Sequence, residues 1–133
     1  MGQEKMGVEN PEVLRTIGLF GGGIAGTGGV CGAFSGGIAL FSNLYAKGTL
    51  EDKESPEMWR FGRMLYNRFT EITEEFGGRN CSDIVRVDWQ DQEQLRAMYQ
   101  DPNSRFQYCR MVVEKTAVAL GEILDKHVIQ ETG

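Results

Sequence analysis

Three cysteines, Cys31, Cys81 and Cys109, are the residues of this 133-residue chain whose chemistry reaches beyond packing. A thiol acts as nucleophile or metal ligand in its thiolate form, so the question is which local setting removes its proton. Cys31 lies at the start of a helix expected over about 30–46, and Cys81 follows Asn80, a candidate cap of a short helical turn. Free backbone N–H groups and the helix dipole favour negative charge at such positions, so both cysteines are expected to be thiolates. Cys109 falls on the apolar stripe of the last helix, where an inert core thiol is the plain alternative to a third functional sulfur. An odd count excludes a fully paired disulfide framework and leaves buried thiols, a redox pair with one spare, or metal ligands. There is no CxxC, no CxxCH and no zinc-finger Cys/His spacing, so any site must be assembled by the fold.

Other chemistries find less in the sequence. The single histidine, His127, has no orienting context for nucleophilic catalysis. Glu74-Glu75 and the Asp52, Glu54 pair sit on a charged face and in a linker, where solvation explains them. Gly21, Gly23 and Gly26 spell GxGxxG, yet the dinucleotide fingerprint needs a preceding strand inside a βαβ unit. Here a helix precedes it, and the density of glycines accounts for the match. Anion binding at this loop is a separate function class that the glycines alone would permit.

Several elements must position the cysteines. Asn10-Pro11-Glu12 reads as cap, first-turn proline and acid, opening a helix over about 13–20 that Gly21-Gly22-Gly23 stops. The stretch to Gly29 is too glycine-rich for regular structure, because each Gly costs roughly 1 kcal/mol against Ala in a helix. The second helix ends at Lys47-Gly48. Ser55-Pro56-Glu57 repeats the start signal, and Met58, Phe61, Leu65, Phe69, Ile72 and Phe76 follow at steps of three and four until Gly77-Gly78. A short turn holds Cys81, Arg86 to Trp89 suits an extended connection, and a helix over about 91–99 ends at Asp101-Pro102. The last helix, about 104–128, carries Phe106, Cys109, Val113, Thr116 or Ala117, Leu120, Leu124 and Val128 on one stripe. The fold class is all-α: residues 1–133 as one compact multi-helix bundle with a glycine-rich loop between its first two helices.

A net charge of −5 with scattered basic residues argues against nucleic acid and anionic membranes as partners. The start MGQEKMGVENPEV has no secretory pattern, which favours the cytoplasm and reduced thiols. No charged residue lies between Arg15 and Lys47, and Gly28, Gly32 and Gly36 have GxxxG spacing, features of a membrane span. The glycine runs would break such a helix, so no span is expected. The non-catalytic alternative is an interaction module whose glycine-rich helix packs on a second copy, and a homodimer is the expected assembly.

Phe20-Gly21-Gly22-Gly23, then Gly29-Val30-Cys31-Gly32-Ala33-Phe34-Ser35-Gly36-Gly37, then Asn80-Cys81 and Cys109, together resemble the C_GCAxxG_C_C family. The likeness covers nearly the whole chain. It implies a small helical domain whose four cysteines serve redox chemistry or metal binding, working with a redox partner protein that the sequence does not identify. A related domain in split-Soret-type cytochromes is associated with an iron–sulfur centre, which makes such a cluster the implied cofactor. Carried across, the central cysteine is Cys31 and the later two are Cys81 and Cys109, as catalytic thiols or metal ligands. Gly22, Gly23, Gly29 and Gly32 would let backbone approach the cofactor. The family's first cysteine has no counterpart, and Gly32 stands where the family name has Ala. Either the sequence begins late, with Gly2 to Val8 matching the linker after the family's first helix, or this member works with three. In the second case a [2Fe–2S] cluster would need a replacement ligand or a second subunit.

Overall fold

The computed structural model describes residues 1–130. Its helices are α1 (Gly2–Met6), α2 (Pro11–Thr16), α3 (Gly32–Tyr45), α4 (Pro56–Thr73), α5 (Cys81–Ile84), α6 (Gln92–Gln100) and α7 (Phe106–Ile123). Among the described residues there is no strand, only an isolated antiparallel bridge between Val30 and Asn80. The chain is an all-α bundle, as its periodicities require.

The start signals work through ordinary capping chemistry. The Asn10 side chain accepts from the Val13 N–H, Ser55 Oγ from that of Glu57, and the Asp91 carboxylate from those of Glu93 and Gln94. Each satisfies donors that the first helical turn leaves without partners.

α3, α4 and α7 pack on one another and bury their apolar faces in two clusters. One holds Leu40, Phe41, Phe61, Leu65, Leu120 and Leu124. The other gathers Cys31, Phe69, Phe76, Ile84, Val85, Met98 and Val112, with α5 and α6 closing that end. Phe61, Leu65 and Phe69 are essentially inaccessible, each contributing on the order of 2 kcal/mol by transfer from water. Helices α3 and α4 approach closely because Gly37 has no side chain: a Cβ there would fall 2.6 Å from Leu65 Cδ2.

Four local expectations need correction. Gly2 to Val8 is not a linker: it forms α1, held by the Gln3–Asn10 side-chain and backbone bonds and by Lys5 on Asp125. One short helix therefore precedes α2, and the glycine-rich loop follows the second helix. The helix expected over 13–20 ends at Thr16, and a 3₁₀ turn at Gly18–Phe20 leads into the glycines. Arg86 to Trp89 founds no sheet, as expected, but is not extended throughout: Arg86 has a left-handed φ of +56° and Trp89 lies in a turn. The α7 stripe is rotated by one position at its start, with Val112 buried and Val113 exposed. Val113 faces a groove of about 700 Å³ between α1, α2, α3 and α7. Beyond Ile123 the helix widens into a π turn, Leu124–Ile129, which keeps Leu124 and Val128 inside. Among the described residues no helix is long and apolar enough to cross a membrane.

Candidate functional site

The Val30–Asn80 bridge is the device that assembles the site. Cys31 N–H donates to Arg79 C=O at 3.1 Å, Cys81 N–H to Gly29 C=O at 2.7 Å, and Ser82 N–H to Gly28 C=O at 3.2 Å. Each of the two paired segments runs straight into a helix, α3 after Cys31 and α5 at Cys81. Cys31 and Cys81 occupy diagonal positions on one face of this minimal ladder, within reach of each other's side chains. Two cysteines far apart in sequence are thus set side by side at neighbouring helix starts.

The glycine loop fixes the first of these segments. Residues 22–26 all have positive φ, from +53° at Ala25 to +74° at Gly23, so the chain makes a left-handed turn. Ile24 and Ala25 adopt this conformation at a cost of about 1–2 kcal/mol each, which glycine avoids. Hydrogen bonds from Ala25, Gly28 and Gly29 N–H back to Leu19, Gly22 and Gly23 C=O close it. The turn is packed to contact: a Cβ at Gly23 would lie 2.4 Å from Gly29 N, and one at Gly32 would lie 2.8 Å from Phe20 O. Gly22, Gly23 and Gly29 thus pack the loop on itself, and Gly32 packs α3 on Phe20. Gly32 also presents its backbone N–H to the Cys81 sulfur.

All three thiols are free, Cys31 and Cys81 buried and Cys109 half-buried. Cys81 donates a hydrogen bond to Cys31, and this is the main reason the Cys31 thiol is lowered from 9.0 to about 7. Burial opposes the shift, and the backbone N–H groups of Ala33 and Phe34 at the start of α3 reinforce it. Cys81 moves the other way: it keeps its proton because Cys31 receives it in the hydrogen bond, because it is buried, and because Cys31 and Cys109 are close enough to repel a second negative charge. The expectation of two thiolates is therefore corrected to one thiolate and one thiol donor. Cys109 is raised by burial and then by the Cys31 charge. It packs from α7 against the cluster that contains Cys31. The fold sets Cys31 and Cys81 side by side and brings Cys109 near enough to feel the Cys31 charge.

Trp89 is the residue that sequence reasoning missed. Its ring covers the left-handed turn, with Cδ2 placed 3.3 Å from where a Gly22 Cβ would lie. Its indole N–H is buried without an acceptor among the described residues. A lone tryptophan in a polar connection was the available signal.

The donor set falls short of the implied cofactor. A [2Fe–2S] cluster takes four ligands, and the chain supplies three thiols. Among the described residues no set of three or more His, Cys, Asp and Glu is arranged to hold a metal ion, these cysteines included. As they stand the residues do not fit the cluster, whereas a hydrogen-bonded thiolate–thiol pair is arranged for exchange of electrons and protons between sulfurs.

The profile of the family described as "Putative redox-active protein (C_GCAxxG_C_C)" matches residues 1–123. The chain belongs to this family. No curated protein and no solved structure matches it.

Proposed function

We propose that the protein is a thiol-based redox protein that cycles between a reduced form, with Cys31 as thiolate and Cys81 as thiol, and a Cys31–Cys81 disulfide. The reaction is exchange with an external disulfide. The protein pair gives up two electrons and one proton and forms one S–S bond, and the external disulfide is cleaved to one thiol, which takes the Cys81 proton, and one thiolate, which solvent protonates. Family membership supports the redox class. The hydrogen bond between the two thiols carries the assignment of this pair, because a thiolate beside a proton-bearing sulfur is the arrangement in which one attacks and the other resolves.

The test is equilibration of the full chain against dithiothreitol buffers, with alkylation and peptide mapping of all three cysteines. The expected result is a single two-electron transition that consumes Cys31 and Cys81 together. Thiols that titrate independently, or no disulfide under oxidising buffer, would sink the reading. A metal-binding alternative would need ligands beyond these sulfurs, and iron and acid-labile sulfide assays after anaerobic purification separate it from the thiol reading.

A second reading is favoured by one observation. The groove of about 700 Å³ is lined by Ala33, Gly36, Gly37 and Ala117 and bordered by exposed Leu14 and Val113, an apolar surface suited to a second copy. In this interaction-module reading Gly36→Leu abolishes self-association while Cys31→Ser leaves it intact, and sedimentation velocity distinguishes the outcomes.

A further inference from the structure

The Cys31–Cys81 pair has a geometric difficulty that the third cysteine resolves. Attack on a disulfide proceeds along the S–S axis, so the attacked sulfur must be approachable from outside. Cys31 is 5% exposed and Cys81 is 6% exposed, whereas Cys109 is half-buried on α7. Cys109 packs against the cluster containing Cys31 and is near enough to feel its charge.

We propose that Cys109 is the exchange thiol, the one sulfur that forms a mixed disulfide with an external thiol or disulfide and passes the oxidising equivalent to and from the buried pair. This rests on the reading of Cys31 and Cys81 as a redox pair. In the reducing direction, the Cys109 thiolate attacks Cys31 of the Cys31–Cys81 disulfide. The Cys31–Cys109 bond forms, and Cys81 leaves and takes the proton that Cys109 lost. An external thiolate then attacks the Cys109 sulfur, and Cys31 leaves. A second external thiol cleaves the mixed disulfide, giving Cys109 thiol and an external disulfide. Two external thiols are oxidised and the protein disulfide is reduced, so electrons balance without another reactant. The polarity of the site fits the second step, because Cys31, the better-stabilised thiolate, is the better leaving group when Cys109 is attacked; in the first step Cys81 leaves as the proton lost by Cys109 reaches it. The opposite direction follows the same steps reversed: Cys109 opens an external disulfide, Cys31 attacks the Cys109 sulfur, and Cys81 attacks Cys31.

The recognised chemistry is a thiol or disulfide, carried either by a small molecule or by a protein. The experiment starts from the full chain oxidised with diamide and freed of reagent. It is then mixed with reduced glutathione in one arm and reduced thioredoxin in the other, with acid quench, alkylation and mass mapping. The expected results are a glutathione adduct on Cys109 and, in Cys109→Ser, a Cys31–Cys81 disulfide that forms but is reduced more slowly by on the order of tenfold or more. The arm in which wild type gains most over Cys109→Ser identifies the source of the thiol. In Cys81→Ser, oxidation should trap Cys31–Cys109. An adduct on Cys31 or Cys81, or equal reduction rates for wild type and Cys109→Ser in both arms, overturns the proposal. If Cys109→Ser does not fold, adduct mapping on the wild type decides by itself. Failure of the wild type to form any Cys31–Cys81 disulfide would instead refute the redox pair on which the proposal stands.

Discussion

Replacing Cys81 by Ala separates two sources of thiolate stabilisation at Cys31. The thiol is lowered from 9.0 to about 7, with the Cys81 hydrogen bond as the leading cause and the N–H groups of Ala33 and Phe34 behind it. Without the Cys81 donor, burial offsets the backbone contribution and the midpoint returns towards 9.0. At about pH 7 the thiolate fraction then falls from about one half to about one hundredth, roughly fiftyfold. The surviving thiolate is more basic, and a Brønsted slope near 0.45 over two units restores roughly eightfold in intrinsic nucleophilicity. Alkylation of Cys31 by a small reagent should therefore slow by only about sixfold at pH 7, and at about pH 10 the variant should be the faster of the two. The assay is the rate of modification of Cys31 as a function of pH, read peptide by peptide by mass spectrometry. Cys81→Ser, which keeps an O–H donor, should give an intermediate midpoint. If Cys81→Ala leaves the midpoint near that of the wild type, the helix start holds the charge and the thiol–thiol bond is incidental.

Two further outcomes follow from the same geometry. Cys31 is held below 9.0 and Cys81 above it, so between about pH 7 and 9 the folded pair has released a proton that the unfolded chain keeps. Stability to urea under reductant should rise through that window by up to about 3 kcal/mol and decline above it, where the unfolded chain ionises both thiols and the folded one retains a proton; a flat profile from 7 to 9 would contradict the pairing. Gly23→Ala should cost more than about 2 kcal/mol, since its Cβ would meet Gly29 backbone at 2.4 Å and its φ is +74°. Gly36→Ala, with nothing within 4 Å, should instead stabilise by up to about 1 kcal/mol, and urea unfolding compares the two.

The helices were legible wherever a cap and a periodic apolar face coincided, as at Ser55-Pro56 ahead of Phe61, Leu65 and Phe69. Helix α1 was not, because five residues carry little intrinsic signal and its stability comes from partners as remote as Asp125. The three sulfurs were identifiable by residue type, and their meeting was not. The Val30–Asn80 bridge that joins them is a single residue pair, too short for a period, and the left-handed turn places Ile24 and Ala25 where propensity would put glycine. Val113 was misplaced because α7 has an uncovered groove on one side, so its apolar residues span more than the buried stripe.

Position at a helix start is a property Cys31 and Cys81 share, yet the fold makes them opposites. α3 runs for 14 residues from Cys31 and aims two of its own N–H groups at that sulfur. α5 has 4 residues, less than the length over which aligned peptide dipoles accumulate, and Cys81 receives an N–H from Gly32 of the other helix. Two adjacent buried sulfurs cannot both be ionised cheaply, so the charge settles on Cys31, which receives more backbone N–H groups, and the remaining proton stays on Cys81. The asymmetry follows those N–H groups: two reach the Cys31 sulfur and one reaches the Cys81 sulfur, which corrects the inference from cap residues alone.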